Sequence, residues 1–494
     1  MRRFSHPFLL LAPGLVCAQI VFSVVVYLSN TDLYNCMGMI SASGYLPVPN
    51  ILVFPMLQSV KTAFCGAVFF TLTVGAGLCC LSFLWAWIVS RIGLKHGAAM
   101  LFALLPLALF IAALNANGFN PAATLAALFI PVPVFILSAR RFKNKKSGID
   151  VLRAVVHIAI ILVLGLSWFA QADRDMFINI RDYVLFSNPA GKAVNDFYYK
   201  YTLFPAEVFK SYDQKLLKTC RLETGPGFDV KKIKKALIKN DYLPVVSNTP
   251  VDLVLVEKNS ELAFFHGGKK LLVAPVHKFL SDPKKFLSMF SDKCDTNVFF
   301  RKFTFFSLLC ALPFIFYLMV HFLFCTLFLW IKNPRARDVW AAVSCLVLGL
   351  AFILPLYRLP VDQVPKKELK QKLASSAWPE QRAALKTIEE SGFDPMRYAN
   401  AKALAKSPHV PVRYWLARAL GNSRQPEAGK ILKQMFYDPS PNVVCMACYA
   451  MGRRHYSVVR PLILELIVRS DHAYVQWYAY KALRKTGWIQ SGLD

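Results

Sequence analysis

The sequence contains seven long apolar stretches, and none of them includes Asp, Glu, Lys or Arg. Each stretch is close to the ~20 residues that an α-helix needs to cross the hydrocarbon core of a bilayer. The stretches are Phe8–Leu28, Thr62–Ser90, Ala98–Ala116, Ala122–Ser138, Ala154–Ala170, Phe303–Ile331 and Val339–Leu356. The mean hydropathy of the 494-residue chain is +0.40, which is high for a soluble globular protein. We therefore predict a polytopic α-helical membrane protein with about seven transmembrane helices.

Lysines and arginines cluster at alternate ends of these stretches. The clusters are Arg2 and Arg3; Arg91 and Lys95; Arg140, Arg141, Lys143, Lys145 and Lys146; and Lys332, Arg335 and Arg337. The short loops between them, 29–60 and 115–120, contain no Lys or Arg. Because basic loops remain in the cytoplasm, we predict a cytoplasmic N-terminus. Seven crossings of a cell inner (plasma) membrane then place residues 171–302 and the C-terminal region outside the cytoplasm.

The apolar stretches also disfavour two other interpretations. The first stretch begins after basic residues, but its apolar core exceeds the ~7–15 residues of a secretory signal and no A-x-A-like site follows, so we expect a retained anchor helix. Charged residues within spans commonly mark ion or proton pathways, and their absence argues against an ion-coupled transporter or pump. Tyr45–Pro55 is apolar but too rich in proline to span, and we expect it at the membrane interface or re-entering the membrane.

The spacing of the stretches divides the chain into five parts. We predict a five-helix transmembrane unit at 1–170, an extracytoplasmic α+β domain at 171–302, two further transmembrane helices at 303–357, a linker and first helix at 358–378, and a C-terminal domain at 379–494. Four prolines, at positions 106, 121, 131 and 133, are expected to bend or break the third and fourth spans.

The net charge of +29 is distributed unevenly along the chain. Residues 171–302 carry 22 basic and 15 acidic residues, a net +7, and residues 358–494 carry 22 and 11, a net +11. Two basic regions beside a bilayer favour anionic headgroups or acidic proteins as partners. We expect contact with membrane lipid and no nucleic acid, because the extracytoplasmic side offers little of it.

Within 171–302, one helix and three strands have clear patterns. Asp229–Lys239 has the apolar spacing of an amphipathic helix, and the strand-like runs are Val251–Glu257, Leu262–Phe265 and Lys269–Ala274. A Gly267-Gly268 pair between the last two runs predicts a hairpin turn. The helix carries a possible membrane-surface contact formed by Lys231, Lys232, Lys234, Lys235 and Lys239, although a solvated face is the simpler interpretation. Cys220 and Cys294 could form a disulfide if their Cα atoms lie close enough.

The C-terminal domain repeats itself. Val412–Gly421 aligns with Val443–Gly452 at a spacing of 31 residues, and Val443–Met451 aligns with Val475–Leu483 at a spacing of 32. Short helix pairs that repeat at such intervals are typical of an α-solenoid, in which small residues recur where one helix passes close to the next. Its possible partner-binding surface includes Arg413, Trp415, Arg418, Trp477 and Tyr480.

Two segments give these repeats a family resemblance. The segments Asp438-Pro439-Ser440-Pro441-Asn442-Val443-Val444 and Ala447…Ala450-Met451-Gly452 resemble HEAT-like repeats of the phycobilisome-lyase type. The resemblance covers about the last quarter of the chain and implies a stacked-helix binding surface. The sequence departs from the pattern at Val444, where arginine is frequent, and at Arg484, where the last repeat lacks the glycine. A lyase activity is not implied, because many proteins with such repeats are not lyases.

Several residues invite a chemical role, and each has a simpler structural interpretation. Cys445 and Cys448 form a C-x-x-C within a repeat helix, where core packing is favoured over metal or redox chemistry. His266 or His277 with Cys220 could form a Cys–His dyad, but the spacing does not bring them together. The aromatic run Phe197, Tyr198, Tyr199, Tyr201 and Phe204 could bind a ligand, although anchoring or core packing is favoured.

His157 and His321 lie inside apolar stretches. A shared metal or proton relay between them lacks a carboxylate partner within the stretches, so no metal, cofactor or catalytic residue is predicted. The sequence therefore favours a non-catalytic scaffold or assembly protein that binds a protein partner through its solenoid. A transport-related component for a lipid or glycan is the first alternative, and a membrane-surface enzyme is the second.

Overall fold

The computed structural model describes residues 6–92, 96–143, 151–171, 173, 175–202, 207–223, 230–246, 249–358, 364–454 and 457–492. These residues are mostly helical and include a five-stranded sheet. Five helical segments are long and apolar enough to cross a membrane: Pro7–Ala42, Val60–Ile92, Pro121–Lys143, Val298–Leu327 and Pro334–Tyr357. Two shorter apolar segments, Leu104–Leu114 and Arg153–Phe169, overlap the other two predicted stretches. This helix content fits a membrane protein.

Eight helices form the first helical unit. They are α1 (Pro7–Ala42), α2 (Phe54–Leu57), α3 (Val60–Phe70), α4 (Ala76–Ile92), α5 (His96–Leu114), α6 (Pro121–Phe129), α7 (Pro131–Lys143) and α8 (Val151–Phe169), with a π-helical turn Thr71–Gly75 between α3 and α4. Helix α1 approaches the α3–α4 segment closely, since a Cβ on Gly75 would lie 2.6 Å from that of Ala18. One of the expected proline breaks is present, between α6 and α7 at Pro131, whereas α5 continues past Pro106.

The next region combines short helices with the sheet. The helices are α9 (Met176–Asn179), α10 (Pro189–Phe197), α11 (Val230–Lys239), α12 (Val276–Ser281) and α13 (Pro283–Cys294); the strands are β1 (Lys218–Glu223), β2 (Tyr242–Pro244), β3 (Leu253–Lys258), β4 (Glu261–His266) and β5 (Lys269–Pro275). Two π-helical segments, Ile180–Leu185 and Tyr198–Thr202, follow α9 and α10. Ile233 and Leu237 of α11 are fully buried against the sheet, which is the face that the apolar spacing predicted.

The strand order is β2-β1-β3-β4-β5, with β1 parallel to both β2 and β3 and the remaining pairs antiparallel. Strands β3 to β5 confirm the three predicted runs. Gly267 and Gly268 form the β4–β5 turn with φ values of 54° and 76°, a conformation that glycine adopts without strain. Strands β1 and β2 are the part of the sheet that the sequence pattern missed.

Two long helices and a stack of shorter ones complete the chain. They are α14 (Val298–Leu327), α15 (Pro334–Arg358), α16 (Leu369–Leu373), α17 (Trp378–Glu390), α18 (Ala401–Leu404), α19 (Val410–Leu420), α20 (Pro426–Met435), α21 (Pro441–Arg453), α22 (Arg460–Arg469) and α23 (Ala473–Lys485). Helices α17, α19, α21 and α23 pack side by side in that order. The aligned repeats coincide with α19, α21 and α23. Small residues lie at their contacts, since a Cβ on Gly421 would lie 3.4 Å from that of Ala450.

The C-terminal helices share one apolar core with other parts of the chain. This core joins the end of α1 and strand β2 to buried side chains of α17 to α23. The segment between α1 and α2 also belongs to it, because the Asn50 backbone N–H donates to Gln476 Oε1 (2.8 Å) and the Asn50 side-chain amide donates to the Ile467 carbonyl (2.6 Å). The C-terminal helices thus hold this segment, and its location at the membrane interface or re-entering the membrane stays a prediction.

Candidate functional site

One face of the stacked helices is basic and aromatic. It consists of Arg418 on α19, Tyr449 and Arg453 on α21, and Trp477, Lys481 and Lys485 on α23, and we call this set the cationic face. The repeat spacing aligns Arg418, Tyr449 and Lys481 at one position of successive helices. The cationic face therefore follows from the repeat itself.

Cations and rings alternate along the cationic face. Arg418 lies 5.5 Å and Lys485 4.9 Å from the ring centre of Tyr449, and Lys481 lies 3.6 Å from that of Trp477. Cation–π contacts of this kind hold the charged groups over the rings. Burial lowers the pKa of Lys481, and the nearby positive charges of Lys210 and Lys485 lower it further. Like charges are thus close together on this surface.

A single carboxylate, Glu389 on α17, lies at the end of the cationic face. Its Oε1 is 3.0 Å from Arg453 Nη1 and 3.3 Å from Arg418 Nε. The two guanidinium groups share this one buried carboxylate while their own side chains are about one-third exposed. Among the described residues, the cationic face therefore carries more basic than acidic side chains, which favours an anionic ligand.

The five predicted partner-binding residues have different positions. Arg418 and Trp477 lie on the cationic face. Arg413 instead donates to both carboxylate oxygens of Asp438, at 2.7 and 3.1 Å. Trp415 and Tyr480 are 1% and 0% exposed. Arg413, Trp415 and Tyr480 thus make contacts within the chain. The repeat pattern alone could not distinguish these positions from exposed ones.

Trp415 belongs to a buried network that joins the stacked helices to the segment after α9. Asp182, fully buried in that segment, accepts from Trp415 Nε1 at 2.8 Å, from Arg382 Nε at 2.9 Å and from Arg181 Nε at 2.8 Å. Arg382 also donates to Asn179 Oδ1 at 3.2 Å. Both carboxylate oxygens are therefore occupied by donors of this chain.

Tyr480 makes a second link between the C-terminal helices and the sheet region. Its hydroxyl donates to Asp241 Oδ1 at 2.6 Å, and Arg484 Nε lies 3.0 Å from the same carboxylate oxygen. Burial raises the pKa of Tyr480, and the negative charge of Asp241 raises it further. The hydroxyl therefore remains a hydrogen-bond donor at neutral pH.

The predicted disulfide is not formed. Cys220 and Cys294 are both free, and both pack into the apolar core of the sheet region. Burial raises the pKa of the Cys294 thiol to about 12 and raises that of Cys220 well above its usual value. Neither sulfur is therefore a thiolate at neutral pH, which also argues against a Cys–His dyad.

The C-x-x-C cysteines have the core position that the repeat alignment favoured. Cys445 and Cys448 are 1% and 0% exposed, and burial raises the pKa of both thiols. His266 is tied to its surroundings by Tyr212, whose hydroxyl is 3.2 Å from Nδ1, whereas His277 is exposed. These contacts fit the structural interpretation of all four residues.

Two further predicted surfaces also have defined positions. Lys231, Lys232, Lys235 and Lys239 are exposed and Lys234 is half-buried, so their contact with lipid stays a prediction. In the aromatic run, Tyr199 packs against Tyr474 at 5.0 Å between ring centres and Tyr198 against Phe69 at 5.9 Å. Phe204 lies outside the described residues. The run thus packs between the helical unit and the stacked helices.

A polar cluster lies at the end of the long helices that is far from the stacked C-terminal helices. His157 of α8, His321 of α14 and Asp338 of α15 meet there, with His6 just before α1. His157 Nε2 is 3.2 Å from Asp338 Oδ2, and His321 Nε2 is 3.8 Å from Asp338 Oδ1. The expectation that the two histidines lack a carboxylate partner is therefore wrong. Asp338 directly precedes the apolar stretch that begins at Val339, so a search within the stretches missed it.

The comparisons found no matching family model, no similar curated protein and no similar solved structure. The function must therefore be inferred from the geometry of the chain. Two features carry chemical information: the cationic face on the stacked helices and the histidine–aspartate cluster at the other end of the long helices.

Proposed function

We propose that this chain is a membrane scaffold that holds an acidic partner protein on the cationic face of its stacked C-terminal helices. The observation that carries this proposal is the set of cations held over the rings of Tyr449 and Trp477 along α19, α21 and α23. A repeated helix pair presents the same position many times along one surface, which suits the binding of an extended protein segment. We take the stack to be a HEAT-like solenoid in this sense.

The contacts between distant segments bear on which side of the membrane the cationic face lies. The α1–α2 segment contacts the C-terminal helices, and Asn120 in the α5–α6 loop donates to Asn297 Oδ1 at 2.5 Å. The histidine–aspartate cluster joins the start of α1, the first part of α8, the end of α14 and the start of α15. The loops and helix ends thus meet in two separate groups, which supports an arrangement of seven crossings. With the basic loops in the cytoplasm, the cationic face is extracytoplasmic.

The anchoring of the stack supports a binding surface of fixed shape. Asp182 and Asp241 each accept from two or more groups of α17 to α23 or their neighbours. Fixing the surface before binding reduces the conformational entropy that association would otherwise cost. The docked stack can therefore hold a partner without first rearranging.

Charge favours an acidic protein as the partner. Arg418 and Arg453 share one carboxylate, and the lysines of α23 add further positive charge. Arg stacked on aromatic rings is common at the energetically important centres of protein interfaces. Because rim charges act through a screened field, the association should weaken as ionic strength rises.

Site-specific photo-crosslinking in cells tests the proposal. A photoreactive phenylalanine analogue replaces Tyr449 on the cationic face, and in a control it replaces Tyr437, which is 62% exposed and lies after α20. We expect one discrete protein adduct from position 449 and none of the same mass from position 437. Lys481→Glu with Lys485→Glu should abolish the adduct, whereas Lys430→Glu with Lys433→Glu on α20 should leave it intact.

Two outcomes would contradict the proposal. The first is an adduct at position 449 that survives the α23 charge reversal, because recognition would then not use the cationic charge. The second is labelling of lipid alone, which would assign the cationic face to anionic headgroups. Equal expression and equal unfolding temperatures of the two double variants would exclude misfolding as the cause of a lost adduct.

A further inference from the structure

We propose that His157, His321 and Asp338 bind a divalent transition-metal ion of the Zn²⁺ class at the end of the long helices opposite the cationic face. Two imidazole nitrogens and one carboxylate oxygen are ligands that Zn²⁺ and its neighbours in the first transition series accept. The site lies where α8, α14 and α15 come together, so a bound ion would link three helices.

The three ligand groups already face one point. The ligand atoms of His157, His321 and Asp338 all lie within 4.8 Å of one another. Ligands of a tetrahedral Zn²⁺ at ~2.0–2.1 Å from the ion are about 3.4 Å apart. The observed separations from Asp338 oxygens, 3.2 Å to His157 and 3.8 Å to His321, bracket that value. Small side-chain shifts are therefore enough to admit an ion.

The other ring nitrogens are held by neighbours that a metal site would need. His157 Nδ1 is 2.6 Å from the Tyr317 hydroxyl, and His321 Nδ1 is 2.8 Å from His6 Nε2. Metal-binding histidines commonly donate their second N–H to an outer acceptor, which fixes the tautomer and aims the free nitrogen at the ion. Tyr317 and His6 are thus positioning residues. Both ε nitrogens face Asp338, and that of His321 also lies 3.3 Å from the Asp338 backbone carbonyl oxygen.

Two neighbours modify the charge of the site. Arg153 Nε lies 3.9 Å from Asp338 Oδ2 and competes with a metal ion for that carboxylate. Its side chain is 33% exposed, whereas its Nε atom is buried. Cys325 Sγ is 3.8 Å from His321 Nε2, which places a soft donor beside the same point. The carboxylate and the two imidazoles are ligand types that a divalent transition-metal ion accepts.

Metal analysis of the full-length protein in detergent tests this proposal. After chelation and incubation with Zn²⁺, the wild-type chain should retain about one ion per chain because the three ligands act together. His157→Ala, His321→Ala and Asp338→Asn should each reduce the bound Zn²⁺ to a small fraction. His277→Ala is the matched control, because it removes an exposed histidine from α12 in the sheet region. His6→Ala should keep the stoichiometry and weaken affinity by roughly 10–100-fold.

A second measurement needs no variant and is therefore independent of folding defects. Co²⁺ added to the wild-type chain should produce the visible absorption of a low-coordinate site with nitrogen ligands, and Zn²⁺ should displace it. The proposal is overturned if wild-type protein retains no more Zn²⁺ than Asp338→Asn, or if Co²⁺ gives only the spectrum of the free ion. The cluster would then be a hydrogen-bonded network that holds protons and no metal.

Discussion

Asp182 and Asp338 are two carboxylates at opposite ends of the molecule with opposite surroundings. Asp182 is fully buried and receives three charge-assisted or indole hydrogen bonds from Arg181, Arg382 and Trp415. Asp338 is 24% exposed and faces the ring nitrogens of two histidines. The first carboxylate is saturated by fixed donors of the chain. The second faces two imidazoles, which exchange protons and bind metals, and one guanidinium group, that of Arg153.

This difference separates a structural polar site from a ligand site. A guanidinium group keeps its protons at any physiological pH, so the two arginines at Asp182 cannot give up their place to a cation. Imidazole is neutral or protonated according to its surroundings and binds metal through a free lone pair. The donor types, more than the burial of the carboxylate, decide which end of the molecule is available for binding.

The largest loss of stability is expected when Asp182 is replaced. Asp182→Asn leaves Arg181 and Arg382 buried without their counter-charge, which should lower the free energy of unfolding by about 3–5 kcal/mol. Thermal unfolding in detergent, followed by tryptophan fluorescence, measures the change. The control is Asp175→Asn, which removes a carboxylate partner of Lys386 that is 35% exposed and should cost less than about 1 kcal/mol. Equal effects of the two substitutions would show that Asp182 does not hold the stack.

Removal of one hydrogen-bond donor to Asp182 is expected to lower the free energy of unfolding by a smaller amount. Trp415→Phe removes the indole N–H and keeps most of the ring, so it should cost about 1.5–3 kcal/mol, as for a hydrogen bond to a charged group. Trp477→Phe on the cationic face is the matched control, with an expected change within about 0.5 kcal/mol. A loss no larger than that of the control would mean that the two arginines alone satisfy Asp182.

The smallest effect concerns a third carboxylate, Asp295, just before α14. Burial acts to raise its pKa, but hydrogen bonds from Arg301 and the Asn297 backbone N–H hold it below the usual value. A lowered pKa in the folded state gives stability that is present above the unfolded value of ~3.9 and is lost as the pH falls through the lower folded value.

The unfolding temperatures of wild type and Asp295→Asn, measured from pH 7 to pH 3, test this contribution. The difference between the two proteins should be constant at neutral pH and shrink below about pH 4. Asp292→Asn on α13 provides a control with the same change of charge. If the difference in unfolding temperature stays constant down to pH 3, the stabilising contact between Arg301 and Asp295 does not depend on the charge of Asp295.

The sequence predicted the features that depend on local pattern. The apolar stretches, the strands β3 to β5 and the repeat helices each follow from the spacing of neighbouring residues. Strand β2 has three residues, and β1 contains Lys218 and Arg221, so neither shows a strand period. Their parallel pairing links segments more than twenty residues apart and leaves no local signal.

The candidate sites depend on contacts between distant residues, which the sequence pattern does not encode. Asp182 and Trp415 are separated by 233 positions, and His157 and Asp338 by 181. Trp415 therefore looked like a surface residue of the repeat, and Asp338 looked like the flank of a span. A search for carboxylates one turn beyond each apolar stretch would have found Asp338 beside the two histidines.

We propose that the stacked helices and the histidine–aspartate cluster lie on opposite sides of a membrane. Single cysteines at Ser491 and at Lys332, in a background without native cysteines, test it with a membrane-impermeant thiol reagent. Both positions are exposed, the first beside the stack and the second in the loop between α14 and α15. We expect Ser491→Cys to react in cells whose outer barrier alone is opened, and Lys332→Cys to react only after the inner membrane is breached. Reaction of both cysteines under the same condition would contradict the seven-span arrangement and the two-sided account built on it.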